Sequence, residues 1–294
     1  KSEWIHLFIN APFNVFKPLP PEKIYVVEAD ADRPYEGVFL ATLLQPDVVL
    51  WVSTGRTHSI NFDSLVIPSD QRESRDLSQQ RNSGEKDSST SLGMTNSGEF
   101  ETVEKAIAYE YGYFLKYCRE LAVIDGDSQL ESDQIFRTKA KVKAVTKKDF
   151  LKEYSVEKEG TRFVFHKPVE LDSRLRGNDI SSRVECSFNA LLPEEIYLSI
   201  AMCKEALEHL QLDFDPKFAS FQLPPGRGTI LKGVKDTVLI DSTYNGNLGS
   251  IKAMLAMFEK FPAKKKWLVL GDMKELGKEE KEEHELLAQM INGM

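Results

Sequence analysis

Residues 238–277, VLIDSTYNGNLGSIKAMLAMFEKFPAKKKWLVLGDMKELG, decide the fold because they contain a full strand, loop, helix and strand pattern. A β-branched run at residues 237–240 predicts a strand, and Ser250 can cap the helix that follows. The apolar residues of this helix share one face: Ile251, Met254, Leu255 and Phe258. A second apolar run at residues 267–270 then predicts a right-handed crossover in a parallel sheet.

Two polar loops, residues 241–247 and 271–277, follow these predicted strands. Parallel sheets bind ligands beyond the carboxyl ends of their strands, so both loops are candidate binding loops. Asn, Asp and Gly are also ordinary turn formers. The glycines alone therefore indicate turns and not a site.

Length and composition bound the kind of protein. The chain has 294 residues, enough for two domains with their own cores, and 41% hydrophobic with 29% charged residues is typical of a soluble globular protein. No apolar run approaches the roughly 20 residues of a membrane span, and the start lacks a secretory signal, so we expect a cytoplasmic protein. A net charge of -8 argues against a nucleic-acid groove, although backbone amides and a few cations can still hold ATP.

The cysteines, Cys118, Cys186 and Cys203, are odd in number and widely spaced. They suggest neither a disulfide framework nor a zinc site. The sequence starts at Lys1 and stops within or just after a helical pattern, so we expect a fragment of a longer protein.

The rest of the chain alternates predicted strands and helices. The predicted strands lie at residues 23–28, 47–53 and 121–124, with a hairpin at 154–158 and 162–167; the predicted helices lie at 35–44, 103–118 and 194–210. Residues 69–98 and 171–183 are polar and cannot bury enough surface to order, so we expect mobile insertions without function. Residues 216–225 read as a linker, with a domain boundary near Phe221.

Glu28 and His58 are predicted to emerge at the carboxyl ends of neighbouring parallel strands. A carboxylate and an imidazole there could share a Mg²⁺ ion with nucleotide phosphates, because Mg²⁺ takes few protein ligands. Taken singly, such a Glu is commonly solvated and a lone His is more often structural.

The order of motifs resembles the Mur ligase family. DSTYNGNLGSIKAML, then VLGDMKELG, then His284 resembles its carboxyl-terminal domain, particularly in the branch that adds a dipeptide. VVEADADRPYEGVFLATLLQPDVVLWVSTGRTHSINF is similar to its central domain. The resemblance implies an α/β fold with two parts: residues 1–221 as a central P-loop-type ATPase domain, with a mixed sheet but without its phosphate loop, and residues 222–294 as a truncated Rossmann-like domain.

The resemblance also implies a site for ATP and Mg²⁺. Glu28 and His58 match the metal-binding residues of the family, Arg227 matches an arginine that contacts ATP, and Asp241 matches the ribose-binding acid. The residues implied near the nucleotide and the incoming amino component are Tyr244, Asn245 and Asn247. Asp272 and Glu275 match the GDMxEL motif and are structural caps as readily as ligands.

Several positions depart from the family pattern. The phosphate loop GTxGKT is not in these residues, so we expect that this chain alone does not turn over ATP. Tyr111 stands at the position of the carbamylated lysine that holds a second metal. Tyr197 or a neighbour replaces the adenine-binding Asn, and Ser53 replaces an Asn near the phosphates.

The implied function is an ATP-dependent ligase of peptidoglycan precursor synthesis. Such an enzyme joins an amino acid or D-Ala-D-Ala to a UDP-N-acetylmuramoyl-peptide through an acyl phosphate. The expected partners are these small substrates, with no nucleic acid and no membrane, and the expected state is a monomer. The alternatives are a catalytically inactive scaffold of the same fold and a ligase of the folylpolyglutamate synthase type.

Overall fold

The computed structural model describes residues 24–55, 59–66, 100–166, 184–218, 221–244, 246–274 and 276–293. Residues 24–30 belong to one compact unit and the described residues from Ala31 onward belong to a second. The helices are α1 Glu36–Leu44, α2 Val103–Tyr117, α3 Gln129–Ser132, α4 Lys147–Phe150, α5 Ile196–His209, α6 Leu248–Lys260 and α7 Glu280–Asn292. The strands are β1 Val48–Leu50, β2 Leu121–Asp125, β3 Lys141–Val145, β4 Leu151–Val156, β5 Thr161–Phe165, β6 Glu185–Phe188, β7 Thr229–Lys232 and β8 Val238–Asp241. Short 3₁₀ helices lie at Ser59–Leu65, Ile135–Arg137 and Gly277–Glu279.

The first sheet is parallel, with strand order β1-β2-β3. Its central strand β2 is covered on both faces: Leu121 and Val123 pack in the cluster that contains α5, and Ala122 and Ile124 pack in the cluster that contains α2. A parallel sheet buried in this way has continuous apolar strands, which is why LAVI is uniformly hydrophobic.

A buried carboxylate ties α1 to α2. Glu110, in the middle of α2, accepts a hydrogen bond from the Gly37 amide at 3.1 Å, in the first turn of α1. Burial raises the pKa of Glu110, while backbone donors at Tyr35, Gly37 and Val38 oppose that rise. The carboxylate thus stabilises the unpaired amides at the start of a helix.

The second sheet is antiparallel, with order β4-β5-β6. Phe163 and Phe188 of this sheet share a core with residues of α5. The hairpin predicted from period-two alternation is confirmed.

The carboxyl-terminal elements pack onto this sheet region through a separate apolar cluster. Leu191, which follows β6, packs with Met257 of α6 and with Phe261, and Val156 of β4 joins them. Gly228, just before β7, has φ +82°, and a Cβ there would lie 2.3 Å from the Leu191 carbonyl oxygen. Only glycine fits this approach without distortion.

Most predicted helices and strands are confirmed, including α1, α2, α5, α6, β1 and β2. Residues 216–218 and 221–225 have no helix or strand, but the rings of Phe218 and Phe221 lie 4.7 and 5.2 Å from that of Phe188. The predicted linker is therefore anchored by aromatic packing. The predicted insertions at residues 69–98 and 171–183 lie outside the described residues, and the domain boundaries stay predictions.

Two predicted strands are wrong. Residues 24–30 have no regular secondary structure, with Val26 92% exposed, and residues 267–270 have none either, with Val269 94% exposed. β8 pairs antiparallel with β7, so the crossover predicted after it lacks its second strand. An apolar run becomes a strand only when a neighbouring strand completes its backbone hydrogen bonds, and these runs have no such neighbour among the described residues.

The three cysteines are free; Cys118 and Cys186 are buried and Cys203 is exposed. Within the part of the chain that the structure describes, no helix is both long and apolar enough to cross a membrane.

We predict that Gly228→Ala lowers the free energy of unfolding by about 2–4 kcal/mol, because the methyl group meets the Leu191 carbonyl and the backbone has positive φ. Urea unfolding measures this. The control is Gly249→Ala within α6, where a Cβ finds only ordinary contact, so stability changes by less than about 1 kcal/mol. Equal effects of the two substitutions would contradict the close approach.

Candidate functional site

The structure brings several predicted site residues together where β8 leads into α6. The Tyr244 amide donates to the Gly226 carbonyl at 3.1 Å, which places the loop after β8 beside the turn before β7. The Arg227 guanidinium carbon lies 4.4 Å from the centroid of the Tyr244 ring, a cation–π contact. Both side chains are exposed, so the stacked pair forms a cationic surface open to a ligand.

Asp241 closes β8 and organises this loop. Its Oδ1 accepts hydrogen bonds from the Thr243 amide at 3.1 Å and from the Thr243 hydroxyl at 2.7 Å. This is the local turn that Asp commonly forms with the residue two places on. Asp241 therefore has a structural role in the turn; the residue is half-buried and pairs with Thr229 of β7, two residues after Arg227.

Asn247 is the N-cap of α6. Its side-chain oxygen accepts from the Ser250 amide at 2.9 Å, and its own amide donates to the Ser250 hydroxyl at 3.1 Å. The sequence predicted Ser250 as the capping residue, and the structure shows a reciprocal capping box in which Asn247 is the cap. Asn245 lies outside the described residues.

The structure describes only one of the two predicted metal ligands. Glu28 is exposed on a segment without regular secondary structure, so the expectation that it emerges from the end of a strand is wrong. His58 lies outside the described residues. Among the residues described, no group of His, Cys, Asp or Glu side chains is arranged to hold a metal ion. The roles of Glu28 and His58 stay predictions.

Tyr111 and Tyr197, which the sequence analysis compared with functional residues of the family, pack in or against the hydrophobic core. The Tyr111 ring packs edge-on against Trp51, with centroids 5.9 Å apart. Tyr197 is buried at the start of α5, and burial, followed by the negative charges of Asp125 and Asp127, raises its pKa. Both side chains are used in packing.

Sequence reasoning missed a polar cluster at the carboxyl end of β2. Asp125 ends the strand, Asp127 accepts a hydrogen bond from the Lys147 amide at 2.7 Å, and Glu131 lies buried behind them. The signal was present in the sequence as acidic residues directly after a strand, DGD at residues 125–127. It lies at the sheet edge where parallel folds bind ligands.

The second predicted binding loop, at residues 271–277, forms hydrogen bonds with a histidine. His284 of α7 has its Nδ1 2.7 Å from the Glu280 carbonyl and its Nε2 2.9 Å from Asp272 Oδ1. A carbonyl only accepts, so Nδ1 carries a hydrogen in both protonation states. Nε2 accepts from the Met273 amide at 3.2 Å when neutral and donates to Asp272 when protonated. The Glu280 carbonyl and then Asp272 raise the pKa of His284.

The same loop contacts an earlier part of the chain. The Lys278 amide donates to Asp63 Oδ2 at 3.3 Å, and Gly277, at φ +65°, has no room for a Cβ beside that carboxylate. Asp63 lies in the 3₁₀ helix Ser59–Leu65. Glu275 lies outside the described residues.

Comparison with known proteins confirms the resemblance to the Mur ligases. Residues 226–293 match the family model described as Mur ligase, glutamate ligase domain. A curated relative, UDP-N-acetylmuramoyl-tripeptide--D-alanyl-D-alanine ligase of Synechocystis sp., is 45% identical over 56 residues, which are 19% of this chain and 12% of that protein.

The fold is the mixed α/β fold of MurF structures, with small sheets. The MurF ligase of Thermotoga maritima in complex with ADP superposes with a TM-score of 0.67 at 22% identity, over 96% of this chain and 55% of that one. MurF of Acinetobacter baumannii gives a TM-score of 0.67 at 17% identity, over 94% and 51%. The chain thus spans about half the length of these MurF structures.

We predict that Asn247→Ala lowers the free energy of unfolding by about 1 kcal/mol, because α6 loses the side chain that accepts from the Ser250 amide. Asn247→Asp keeps an acceptor at the cap and retains stability. Thermal unfolding of both variants measures the difference. An Asn247→Ala variant as stable as the wild type would show that the cap does not stabilise α6.

We predict that Asp272→Asn lowers the pKa of His284, because it removes the negative charge that favours the imidazolium. The raised folded pKa means that this pair stabilises the fold below the unfolded pKa of about 6.5 and loses that contribution as pH rises through the folded value. The wild type should therefore exceed Asp272→Asn in stability more at pH 5.5 than at pH 9. NMR titration and unfolding at both pH values test this, with Glu285→Gln on the same helix as control.

Proposed function

We propose that this chain is part of an ATP-dependent ligase that forms an amide bond in peptidoglycan precursor synthesis. The acceptor is a UDP-N-acetylmuramoyl-peptide, and the added group is an amino acid or D-Ala-D-Ala. The supporting observation is the contact between Arg227, which precedes β7, and Tyr244, which follows β8 and its last residue Asp241, within the segment that matches the glutamate ligase domain.

The arrangement of these three side chains is suited to binding a nucleotide. The Arg227 guanidinium is exposed over the Tyr244 ring, where it can hold a phosphate oxygen with charge-assisted hydrogen bonds. Asp241 can accept hydrogen bonds from ribose hydroxyls through its carboxylate. The MurF structure from Thermotoga maritima was determined with ADP, which supports a nucleotide as the ligand of this fold.

In the proposed reaction, the γ-phosphate of ATP passes to the terminal carboxylate of the acceptor peptide. The amine of the added group then attacks the acyl phosphate, forms the amide bond and releases phosphate. Arg227 stabilises negative charge on the nucleotide, and packing of α6 against Leu191 fixes where the nucleotide loop lies.

The proposed metal is Mg²⁺, which would neutralise charge on the transferring phosphate. Glu28 has an exposed carboxylate of the kind that Mg²⁺ accepts, and we assign it with His58 as the ligands. We also propose the division into residues 1–221, a central domain, and 222–294, a carboxyl-terminal domain. Because ATP and UDP-linked precursors are cytoplasmic compounds, the proposed reaction takes place in the cytoplasm.

One observation favours a second candidate, an inactive scaffold of the same fold. Tyr111 packs against Trp51 at the position where the family has its carbamylated lysine, and a tyrosine cannot be carbamylated. A scaffold would bind the acceptor or nucleotide without forming the amide bond.

We predict that the full-length gene product releases phosphate from ATP when given UDP-muramoyl-tripeptide and D-Ala-D-Ala together. Arg227→Ala should lower kcat/KM for ATP by about 10- to 100-fold, because a charged hydrogen bond to the nucleotide is lost. Lys252→Ala, which removes an exposed cation from the middle of α6, is the matched control and should retain activity.

Glu28→Ala tests the metal assignment in the same assay. Equal phosphate release by this variant and the wild type would remove Glu28 from the mechanism. No release by the wild type would favour the scaffold.

A further inference from the structure

Glu131 is buried at the carboxyl end of β2, and within the described part of the chain it forms no ion pair with a basic side chain. It lies on the short helix α3 and is 1% exposed. Its Oε2 accepts a hydrogen bond from the amide of Asp125, the last residue of β2, at 2.8 Å. The side chain therefore touches the backbone at the point where this strand ends.

Two further oxygens are buried here: the second oxygen of this carboxyl group and a nearby hydroxyl oxygen. Glu131 Oε1 and the hydroxyl oxygen of Thr54 are both buried, and neither has a partner in good hydrogen-bond geometry among the described residues. Thr54 belongs to the loop after β1, and its hydroxyl is close enough to act on the pKa of Glu131 as a hydrogen-bonding group. Buried polar oxygens normally have a hydrogen-bond partner. A small movement of the two side chains that brings these oxygens into a hydrogen bond is therefore favourable.

The charge state decides the form of that pairing. Burial raises the pKa of Glu131 to about 8, and the nearby carboxylate of Asp125 acts in the same direction. The Asp125 amide and the Thr54 hydroxyl oppose the rise. Helix α2 packs against α3. The ring of Tyr111 from α2 lies in the same apolar cluster as Leu130, the residue that precedes Glu131. A protonated carboxyl group can donate to the Thr54 hydroxyl and still accept from the Asp125 amide.

We propose that Glu131 is a neutral carboxylic acid that joins the ends of β1 and β2, accepting a hydrogen bond from the Asp125 amide and donating one to the Thr54 hydroxyl. It is a positioning residue. It fixes the loop that follows β1, and this loop continues in the sequence toward His58.

The neutral form has a consequence that rests on the proposed function. Asp125 and Asp127 already place negative charge at this sheet edge, where a parallel sheet would present ATP phosphates. Ionised Glu131 would add a further negative charge in a poorly screened position and weaken phosphate binding. Affinity for MgADP should therefore fall as pH rises through the pKa of Glu131.

The first test is a titration of glutamate carboxyl carbons by ¹³C NMR. The signal that is missing from Glu131→Gln should titrate near pH 8 in the wild type. Glu131→Gln should fold normally, because an amide can donate and accept in the same places. A Glu131 signal that titrates below pH 6 would overturn the proposal.

Stability supplies a second readout with a defined sign. The folded pKa is raised, so the folded state holds the proton while the unfolded state loses it above about pH 4.3. Between pH 5 and 8 the folding equilibrium constant of the wild type, relative to Glu131→Gln, should fall by up to about tenfold per pH unit. A ratio that does not change with pH would contradict a neutral Glu131.

The hydrogen bond to Thr54 is tested by the rate of backbone amide hydrogen exchange at positions 54 and 55. Thr54→Val removes the hydroxyl at nearly constant shape and should speed amide exchange there, whereas Thr54→Ser should not. Equal exchange in both variants would overturn the bridge.

Measurements of MgADP binding distinguish a failure of the role of Glu131 from a failure of the proposed ligase function. In the full-length product, MgADP affinity should weaken above pH 8 in the wild type and not in Glu131→Gln. If the carboxyl titrates near pH 8 and the exchange results hold but MgADP does not bind, Glu131 keeps its role and the ligase proposal fails. If MgADP binds but Glu131 titrates below pH 6, the ligase proposal survives and this inference fails.

Discussion

The close approach of Gly228 to the Leu191 carbonyl is the constraint on which the carboxyl-terminal elements depend. It allows β7 to start directly against the chain that leaves β6, and Met257 and Phe261 then complete an apolar contact with Leu191. This contact fixes α6, and α6 fixes the loop that carries Tyr244. The candidate nucleotide loop is therefore positioned by packing some distance away from it, as is usual for a loop on a rigid scaffold.

A second feature of the structure is a pair of buried carboxyl groups at the ends of a helix and a strand. They accompany a parallel sheet that is covered on both faces. Glu110 receives the first amides of α1, and Glu131 receives the last amide of β2. In each case a helix or strand end that would otherwise bury unpaired backbone groups is satisfied by a side chain. Burial then raises the pKa of both carboxyl groups, so structural order and proton affinity are linked at these positions.

The candidate site could be predicted from sequence where its residues are local to one turn. Asp241, Tyr244 and Asn247 are close in the chain, and a strand followed by a capped helix brings them together whatever the rest of the fold does. Arg227 joins them because β7 pairs with β8. Glu131 could not be found in this way, since its partner Asp125 lies in β2 and the nearby Thr54 lies in the loop after β1, and the three residues meet only in the folded sheet.

The sequence by itself determined the longer helices, the hairpin, the strand at residues 121–124 and the family resemblance, because these follow from local periodicity and from ordered motifs. Only the tertiary structure decided which apolar runs become strands. Residues 24–27 and 267–270 are as hydrophobic as β2, yet they stay exposed and irregular, while β2 is buried between two helices and paired on both edges. The physical reason is that a strand is stabilised by hydrogen bonds and packing from other parts of the chain, and its own residues cannot supply them.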